Sequence, residues 1–258
     1  MNLLITGGNG YIAKSLNNAL NERYTVTSIS RNDFDLTDNH QTYEWFKGKT
    51  FDVVIHTAIS GGSRLQMDQY SVFTQNMAMF DNLVENKDCF SKLITFGSGA
   101  EFFHGNIPYA NSKRQISKEI IKYPNFYNLR IFGVFDHNEL DTRFIKSNII
   151  RYLKKEPMVI HANKIMDFFY MKDLISLVEY YMINDGLEQD INCSYEHKYT
   201  LQNIANFINT LGSHKVPVVI QDKKKFDFYC GGSDLPIPII GASNGIRETF
   251  NKLSETIL

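Results

Sequence analysis

Cysteine is scarce in this chain: Cys89, Cys193 and Cys230 are the only three in 258 residues. An odd number at wide spacing excludes a closed disulfide framework and a cysteine-based zinc site, and it fits a reducing compartment. An excess of one charge is also lacking. With 27 Lys and Arg against 28 Asp and Glu, the net charge of −1 gives no electrostatic reason to bind nucleic acid or an anionic membrane. No stretch reaches the ~20 uninterrupted apolar residues of a membrane span. The opening Met-Asn-Leu-Leu-Ile-Thr-Gly has neither the basic start nor the long apolar run of a signal peptide. These features lead to the expectation of a cytoplasmic protein. The seven histidines show no H-x-x-x-H pair and none lies near a cysteine pair, so no metal centre is expected.

What is present is an ordinary soluble composition, 43% apolar and 21% charged, in a length that allows one large α/β domain or one domain with a smaller lobe. No internal repeat or low-complexity tract interrupts it. Short Val/Ile/Leu/Phe-rich runs at 2–6, 24–29, 52–57, 92–97 and 127–132 read as buried strands, alternating with helical patterns at 10–21, 38–47, 66–86 and 109–122. Asp38 supplies a helix start and Pro108 immediately precedes the helix that opens at Tyr109. Strand–helix alternation predicts a doubly wound parallel sheet with helices on both faces. After residue 135 the rhythm changes: a helix at 143–154, a strand at 158–160, helices at 172–183 and 200–211, and a strand at 216–220. The lysines at 223–225 read as a solvated face, followed by a Gly231-Gly-Ser turn and a bend at Pro236 and Pro238.

The first strand runs into Thr6-Gly7-Gly8-Asn9-Gly10-Tyr11-Ile12-Ala13, which satisfies G-x-G-x-x-A from Gly8 and G-x-x-G-x-x-A from Gly7. Glycines there let the backbone turn sharply and admit a pyrophosphate, which the following helix N-terminus favours through its N–H groups and dipole. The second strand ends Ser28-Ile29-Ser30-Arg31. NAD sites carry a carboxylate near this point, whereas Arg31 offers a guanidinium suited to a 2′-phosphate, so NADP(H) is expected; a solvated loop arginine is the plainer alternative. Asp35 and Leu36 fall near the adenine edge, and Thr57 and Ala58, after His56, are placed to run along the nucleotide. His56 itself reads as a packed strand-end residue.

Tyr109 and Lys113 lie four apart, on one helix face, eleven residues after Ser98. An ammonium so placed can lower the phenol's pKa, and such a phenol can exchange a proton with a sugar or alcohol oxygen near neutral pH.

The order of glycine turn, Ser98, Tyr109 and Lys113 resembles the extended short-chain dehydrogenase/reductase superfamily of nucleotide-sugar epimerases, dehydratases and reductases. Four stretches resemble its GDP-L-fucose synthase branch: Arg31-Asn-Asp-Phe-Asp35-Leu36, Gly61-Gly62, Gln75-Asn76-Met77, and Asp167-Phe-Phe-Tyr170 before Asp173-Leu174. The resemblance implies a Rossmann dinucleotide-binding domain at 1–135, with 166–195 returning to it, and a small substrate-binding lobe at 136–165 and 196–258. It also implies a nucleotide-diphosphate sugar substrate and a homodimer paired through the helices at 66–86 and 109–122. Tyr109 would protonate a C4 keto oxygen during hydride transfer, Lys113 would hold the nicotinamide ribose, and Ser98 would donate to the developing alkoxide. Gly7, Gly10, Tyr11, Ile12, Arg31, Asp35, Leu36, Thr57, Ala58, Asn76 and Lys113 would line the cofactor.

Departures from the pattern matter as much. Where fucose synthases place an epimerase cysteine and histidine, this chain has Ala100 and Phe144; their substrate-loop arginine becomes Met166. The dehydratases' Asp-Glu pair becomes Gly99 and Ala100, and the tract from Phe103 to Tyr109 is shortened. Gly99, Glu101, Arg143 and Asn148 remain candidate substrate contacts: Glu101 as a displaced acid or base or as a structural hydrogen-bonding group, Arg143 and Asn148 toward a diphosphate or base or as a solvated helix face. The expected activity is reduction at C4 without epimerisation at C3 and C5, a relocated acid–base pair at Glu101 and His137 being the alternative. A nucleotide-sugar 4-epimerase that retains NAD and a non-catalytic NADP-binding redox sensor are the rivals.

Overall fold

Leu3, Leu4 and Ile5 are wholly buried, and the strand that carries them is flanked by a neighbour on each side. The computed structural model describes residues 1–63 and 67–257, and the backbone alone at Lys225. In chain order the elements are β1 (Asn2–Thr6), α1 (Tyr11–Leu20), β2 (Thr25–Ile29), α2 (Asn39–Phe46), β3 (Phe51–His56), α3 (Ser71–Glu85), a 3₁₀ turn (Lys87–Cys89), β4 (Phe90–Ser98), α4 (Ala100–Phe103) and α5 (Pro108–Ile120). There follow β5 (Phe126–Ile131), β6 (Val134–Phe135), α6 (Phe144–Leu153), β7 (Met158–Met166), β8 (Phe169–Tyr170), α7 (Met171–Ile183), β9 (Asp190–Cys193), α8 (Leu201–Ile208), β10 (Val218–Tyr229) and α9 (Ala242–Ile257).

Among the described residues the main sheet has six strands in the order β2-β1-β3-β4-β5-β9, and β1 pairs parallel with both β2 and β3. The chain leaves β1 toward β2 and resumes on its other side at β3, so the order reverses between β1 and β3. A crevice beyond the C-terminal ends of such a pair is where doubly wound sheets take ligands. The Rossmann-type α/β fold expected from strand–helix alternation is the fold observed.

Two compact units divide the chain, residues 1–130 with 175–191, and 131–174 with 192–258. In the first, Leu4, Phe46, Val54, Phe80, Leu93 and Ile120 belong to one buried cluster. Local signals close its helices: Asp38 accepts from the Gln41 N–H at the start of α2, and Pro108 occupies the first turn of α5. Lys92, buried in β4, donates to the carbonyls of Tyr181 (2.8 Å) and Asn184 (2.6 Å) and pairs with Asp185, which satisfies the C-terminal end of α7.

The second unit has its own core, which includes Ile149, Tyr152, Met158, Ile204, Ile208 and Phe250. Here β7 pairs parallel with β10, and β6 with β8. Asp173, 1% exposed, accepts from the Tyr195 hydroxyl (2.5 Å) and from the Ile240 and Gly241 N–H groups, tying the Pro-rich bend to the start of α7. A pocket of about 330 Å³ is lined by the 197–199 turn, α8 and α9, with Tyr199, Phe207 and Ser243 among its walls.

The structure departs from the sequence-based expectation in several elements: the strand expected at 158–160 runs to Met166, and α4, β6, β8 and β9 are additional. The helix expected at 66–86 begins at Ser71, and its expected first residue lies outside the described residues. The strand expected at 216–220 runs on to Tyr229 through the lysines, because a register shift between Asp222 and Asp227 accommodates the charged segment. α9 is an addition to the expected elements, and its Ile246, Phe250 and Leu253 bury one helical stripe. No helix among the described residues is long and apolar enough to cross a membrane.

Candidate active site

The glycine turn after β1 is shaped by contacts that no larger residue would permit. Gly7 has φ +74°, and a Cβ there would lie 2.7 Å from the Ala58 backbone. At Gly8 it would lie 2.5 Å from the Ser28 hydroxyl, while the Gly8 N–H donates to the Ile29 carbonyl at 2.7 Å. Gly10 caps α1 with no side-chain hydrogen bond and no acidic residue in the first turn, and Tyr11 and Ile12 begin the helix. A helix start without a side-chain cap suits an anion. Thr6 fastens β1 to β3: its hydroxyl shares a hydrogen bond with His56 Nδ1 (2.8 Å) and accepts from the Ala58 N–H, while its carbonyl accepts from Thr57 Oγ1. Burial, with the nearby Lys113 charge, pushes His56 down to about 3, so its ring is neutral. It is the packed strand-end residue expected.

At the end of β2, Asp33 accepts from the Ser30 N–H and hydroxyl, which fixes a turn with Arg31 exposed on it. Asp35 accepts from the N–H and hydroxyl of Thr37. The Leu36 side chain is core, and its carbonyl takes the amide of Asn82. Asn76 is 1% exposed and spends its amide on the protein, bonding both backbone groups of Ser60 and the Ser112 hydroxyl, which in turn donates to the Tyr109 carbonyl. Asn76 is therefore a bracket between the loop after β3 and α5.

Ser98 ends β4. Its hydroxyl oxygen accepts from the Ala100 N–H (3.2 Å), which leaves the hydroxyl hydrogen able to donate elsewhere. On α5, Lys113 Nζ lies 5.9 Å from the Tyr109 ring centroid and donates to the Phe96 carbonyl at 2.5 Å. Burial pushes the Lys113 ammonium down to about 8, against an opposing pull from the Glu101 charge. The Gly61-Gly62 loop packs against Tyr109: a Cβ on Gly62 would meet the ring at 2.8 Å. The first unit thus holds the glycine turn, Ser98, Tyr109 and Lys113 together.

Residues 3–194 match the NAD dependent epimerase/dehydratase family. The chain belongs to that family. Comparison with curated proteins finds no match. Among solved structures, it is similar to a GDP-mannoheptose C4 reductase from Campylobacter jejuni with NADP bound, at 15% identity, 98% of each chain and a TM-score of 0.81. It is also similar to a GDP-L-fucose synthetase from Naegleria fowleri bound to NADP, at 18% identity over 98% of this chain and 92% of that one, TM-score 0.75. A UDP-glucose 4-epimerase from Thermotoga maritima with UDP-glucose aligns over 100% of both chains at 16% identity and a TM-score of 0.79.

In this epimerase/dehydratase-family chain two candidate substrate contacts become structural. Asn148, 1% exposed, donates to the Phe144 and Val159 carbonyls and accepts from the Val159 N–H, so it ties α6 to β7 and has no donor left for a ligand. Glu101 is buried, with one carboxylate oxygen on the Ser98 N–H (2.7 Å) and the other on Arg130 Nε (2.8 Å), and burial pushes its carboxyl up against the opposing pull of Arg130; these bonds give it the structural hydrogen-bonding role. Gly99 caps α4, and Arg143 caps α6 with its residue exposed. Phe144 stacks on Phe168, and Met166 is core. Sequence reasoning missed Arg130, Asp190 and Arg114. Arg114 donates to the carbonyls of Glu101 (2.7 Å), His104 (3.0 Å) and Gly105 and so clamps the shortened tract before Tyr109. Arg130 lies in Leu129-Arg-Ile-Phe-Gly133-Val, which resembles a strand of the superfamily but does not mark the arginine itself; Asp190 and Arg114 carry no motif.

Proposed function

We propose that this protein is an NADP(H)-dependent reductase of a nucleotide-diphosphate 4-keto-6-deoxy sugar, acting through Ser98, Tyr109 and Lys113 without epimerisation at C3 or C5. The first unit is read as the dinucleotide-binding domain and the second as the substrate-binding lobe. The observation that carries the proposal is the Lys113 ammonium, one helical turn from Tyr109 and bonded to the Phe96 carbonyl two residues before Ser98.

The residues present fit a dinucleotide. The turn at Gly7 and Gly8 is a cradle that a Cβ would fill, α1 opens without a side-chain cap, and Arg31 is exposed beyond β2. Gly7, Gly10, Tyr11 and Ile12 would hold the pyrophosphate, Arg31 the 2′-phosphate, Asp35 and Leu36 the adenine side, and Thr57, Ala58 and Lys113 the inner half. When bound, NADPH supplies a hydride to the keto carbon. Tyr109 transfers its phenolic proton to the carbonyl oxygen, and the ketone becomes an alcohol. Lys113 holds the phenol in position and favours its charged form, while Ser98 donates a hydrogen bond to the oxygen as charge develops on it.

Epimerisation beside a ketone needs a base and an acid on opposite faces of the carbon. Ala100 cannot exchange a proton, and both Glu101 oxygens are engaged. Similarity to 4-epimerases such as the Thermotoga maritima structure keeps one rival: the same three residues serving a 4-epimerase with tightly held NAD. We also propose a homodimer through α3 and α5, with light scattering at micromolar concentration as its test; a monomeric mass would refute it.

NADPH oxidation with a panel of GDP-, dTDP-, CDP- and UDP-4-keto-6-deoxy sugars decides the reaction. Consumption with one of them, and no deuterium uptake at C3 or C5 in D₂O, is the expected result. Retained, fully oxidised cofactor with no net reduction favours the epimerase. Deuterium uptake defeats the reductase-only reading.

A further inference from the structure

Resting on this reading of the Ser98–Tyr109–Lys113 site, we propose that Glu101 is a positioning residue that fixes the Ser98 backbone and supplies the counter-charge for the Lys113 ammonium.

Three consecutive residues of β4 carry the argument. Phe96 offers its carbonyl to Lys113 Nζ, Gly97 leaves space, and Ser98 gives its N–H to Glu101. Gly97 is required by the carboxylate, since a Cβ there would lie 2.6 Å from Glu101 Oε1 and 2.7 Å from the Asn128 amide. Glu101 is itself held from behind. Arg130 donates to it through Nε and to Asp190 through Nη2 at 2.5 Å, and Asp190 also takes the Ser117 hydroxyl and the Asn128 amide. Such a braced carboxylate pins the backbone from which Ser98 projects. The Ala100 N–H on the Ser98 hydroxyl comes from the same turn, so holding that turn also aims the Ser98 hydrogen. The groups around Lys113 and Glu101 are Tyr109 on α5, His56 on β3, Arg130 on β5 and Asp190 on β9. His56 is neutral, and Arg130 is shared by Glu101 and Asp190; the Glu101 charge favours a charged Lys113, while burial pushes the Glu101 carboxyl up against the pull of Arg130.

Two variants separate the hydrogen bond from the charge. Glu101→Gln keeps an oxygen for the Ser98 N–H but carries no charge; Glu101→Leu keeps neither. For Glu101→Gln we expect the alkaline limb of the kcat–pH profile to move down by about one unit. For Glu101→Leu, kcat should fall about a hundredfold at every pH while the sugar KM changes little. A merely structural Glu101 would lower the melting temperature in both yet leave kcat and the alkaline limb of the folded protein unchanged, and that result overturns the proposal. If Glu101→Gln does not fold, Glu101→Gln/Arg130→Gln removes the stranded guanidinium and is read in the same way. If the wild type reduces no keto sugar, the proposed function fails, and the positioning role is read instead from calorimetric NADPH affinity against pH. Its alkaline loss should move by the same amount in Glu101→Gln; an unmoved profile, or no NADPH binding by the wild type, overturns the role.

Discussion

Gly62 packs against the ring of Tyr109, so close that a methyl group on its α-carbon would meet Cε2 at 2.8 Å and Cζ at 2.9 Å. Its φ of +71° is a conformation L side chains rarely adopt, and its N–H is fixed by the Asp68 carboxylate at 2.8 Å. The loop after β3 therefore acts as a stop that sets where the proposed proton donor stands. Gly62→Ala should cost about 1–2 kcal/mol through backbone strain alone. The ring must also move, so kcat should fall by more than the stability loss explains. Urea unfolding beside kcat checks this; a stable variant with unchanged kcat refutes it.

Tyr109→Phe keeps the ring against Gly62 and removes the hydroxyl. Loss of a general acid costs ~10²–10⁴-fold in rate. NADPH affinity and melting temperature should stay near wild type. Near-normal turnover in the folded variant would mean that Tyr109 is not the acid.

Cofactor preference should follow Arg31, which is exposed on the turn fixed by Asp33. A charge-assisted contact with the 2′-phosphate is worth ~1.5–3 kcal/mol, or roughly ten- to a hundredfold in affinity. Calorimetry should show NADPH bound more tightly than NADH, with the difference lost in Arg31→Ala. Equal affinities in the wild type would sink the assignment.

Lys113 gives the protein a pH signature. Its pKa falls from 10.5 to about 8 on folding because burial removes water from the ammonium. Between those values the unfolded chain keeps a proton that the folded protein has released, so stability rises with pH. The contribution is fully present above 10.5 and lost as pH falls through 8. Relative to Lys113→Met, the wild type should gain stability from pH 8 to 10.5, by at most on the order of 3 kcal/mol, with a flat difference below 8. A difference constant across pH 7–10.5 in urea unfolding would show that Lys113 is not desolvated.

Much was legible in the amino-acid sequence because it depends on local order. Strand–helix alternation set the doubly wound sheet, and Gly7, Gly8 and Gly10 marked a turn that only small residues can make. The four-residue spacing of Tyr109 and Lys113 put them on one helix face whatever surrounds them. Tertiary structure decided what depends on distant partners. The β10 strand through its lysines needs β7 beside it, and the helix from Ala242 shows itself through the burial of Ile246, Phe250 and Leu253. Asn148 and Asn76 looked available for ligands until the fold brought Val159 and Ser60 to their amides. Glu101 could be read from its position either as a displaced acid or base or as a structural hydrogen-bonding group; the fold placed Arg130, 29 residues away, on its carboxylate. Spacing along a chain fixes which side chains share an element; only packing fixes which polar atoms are already spent.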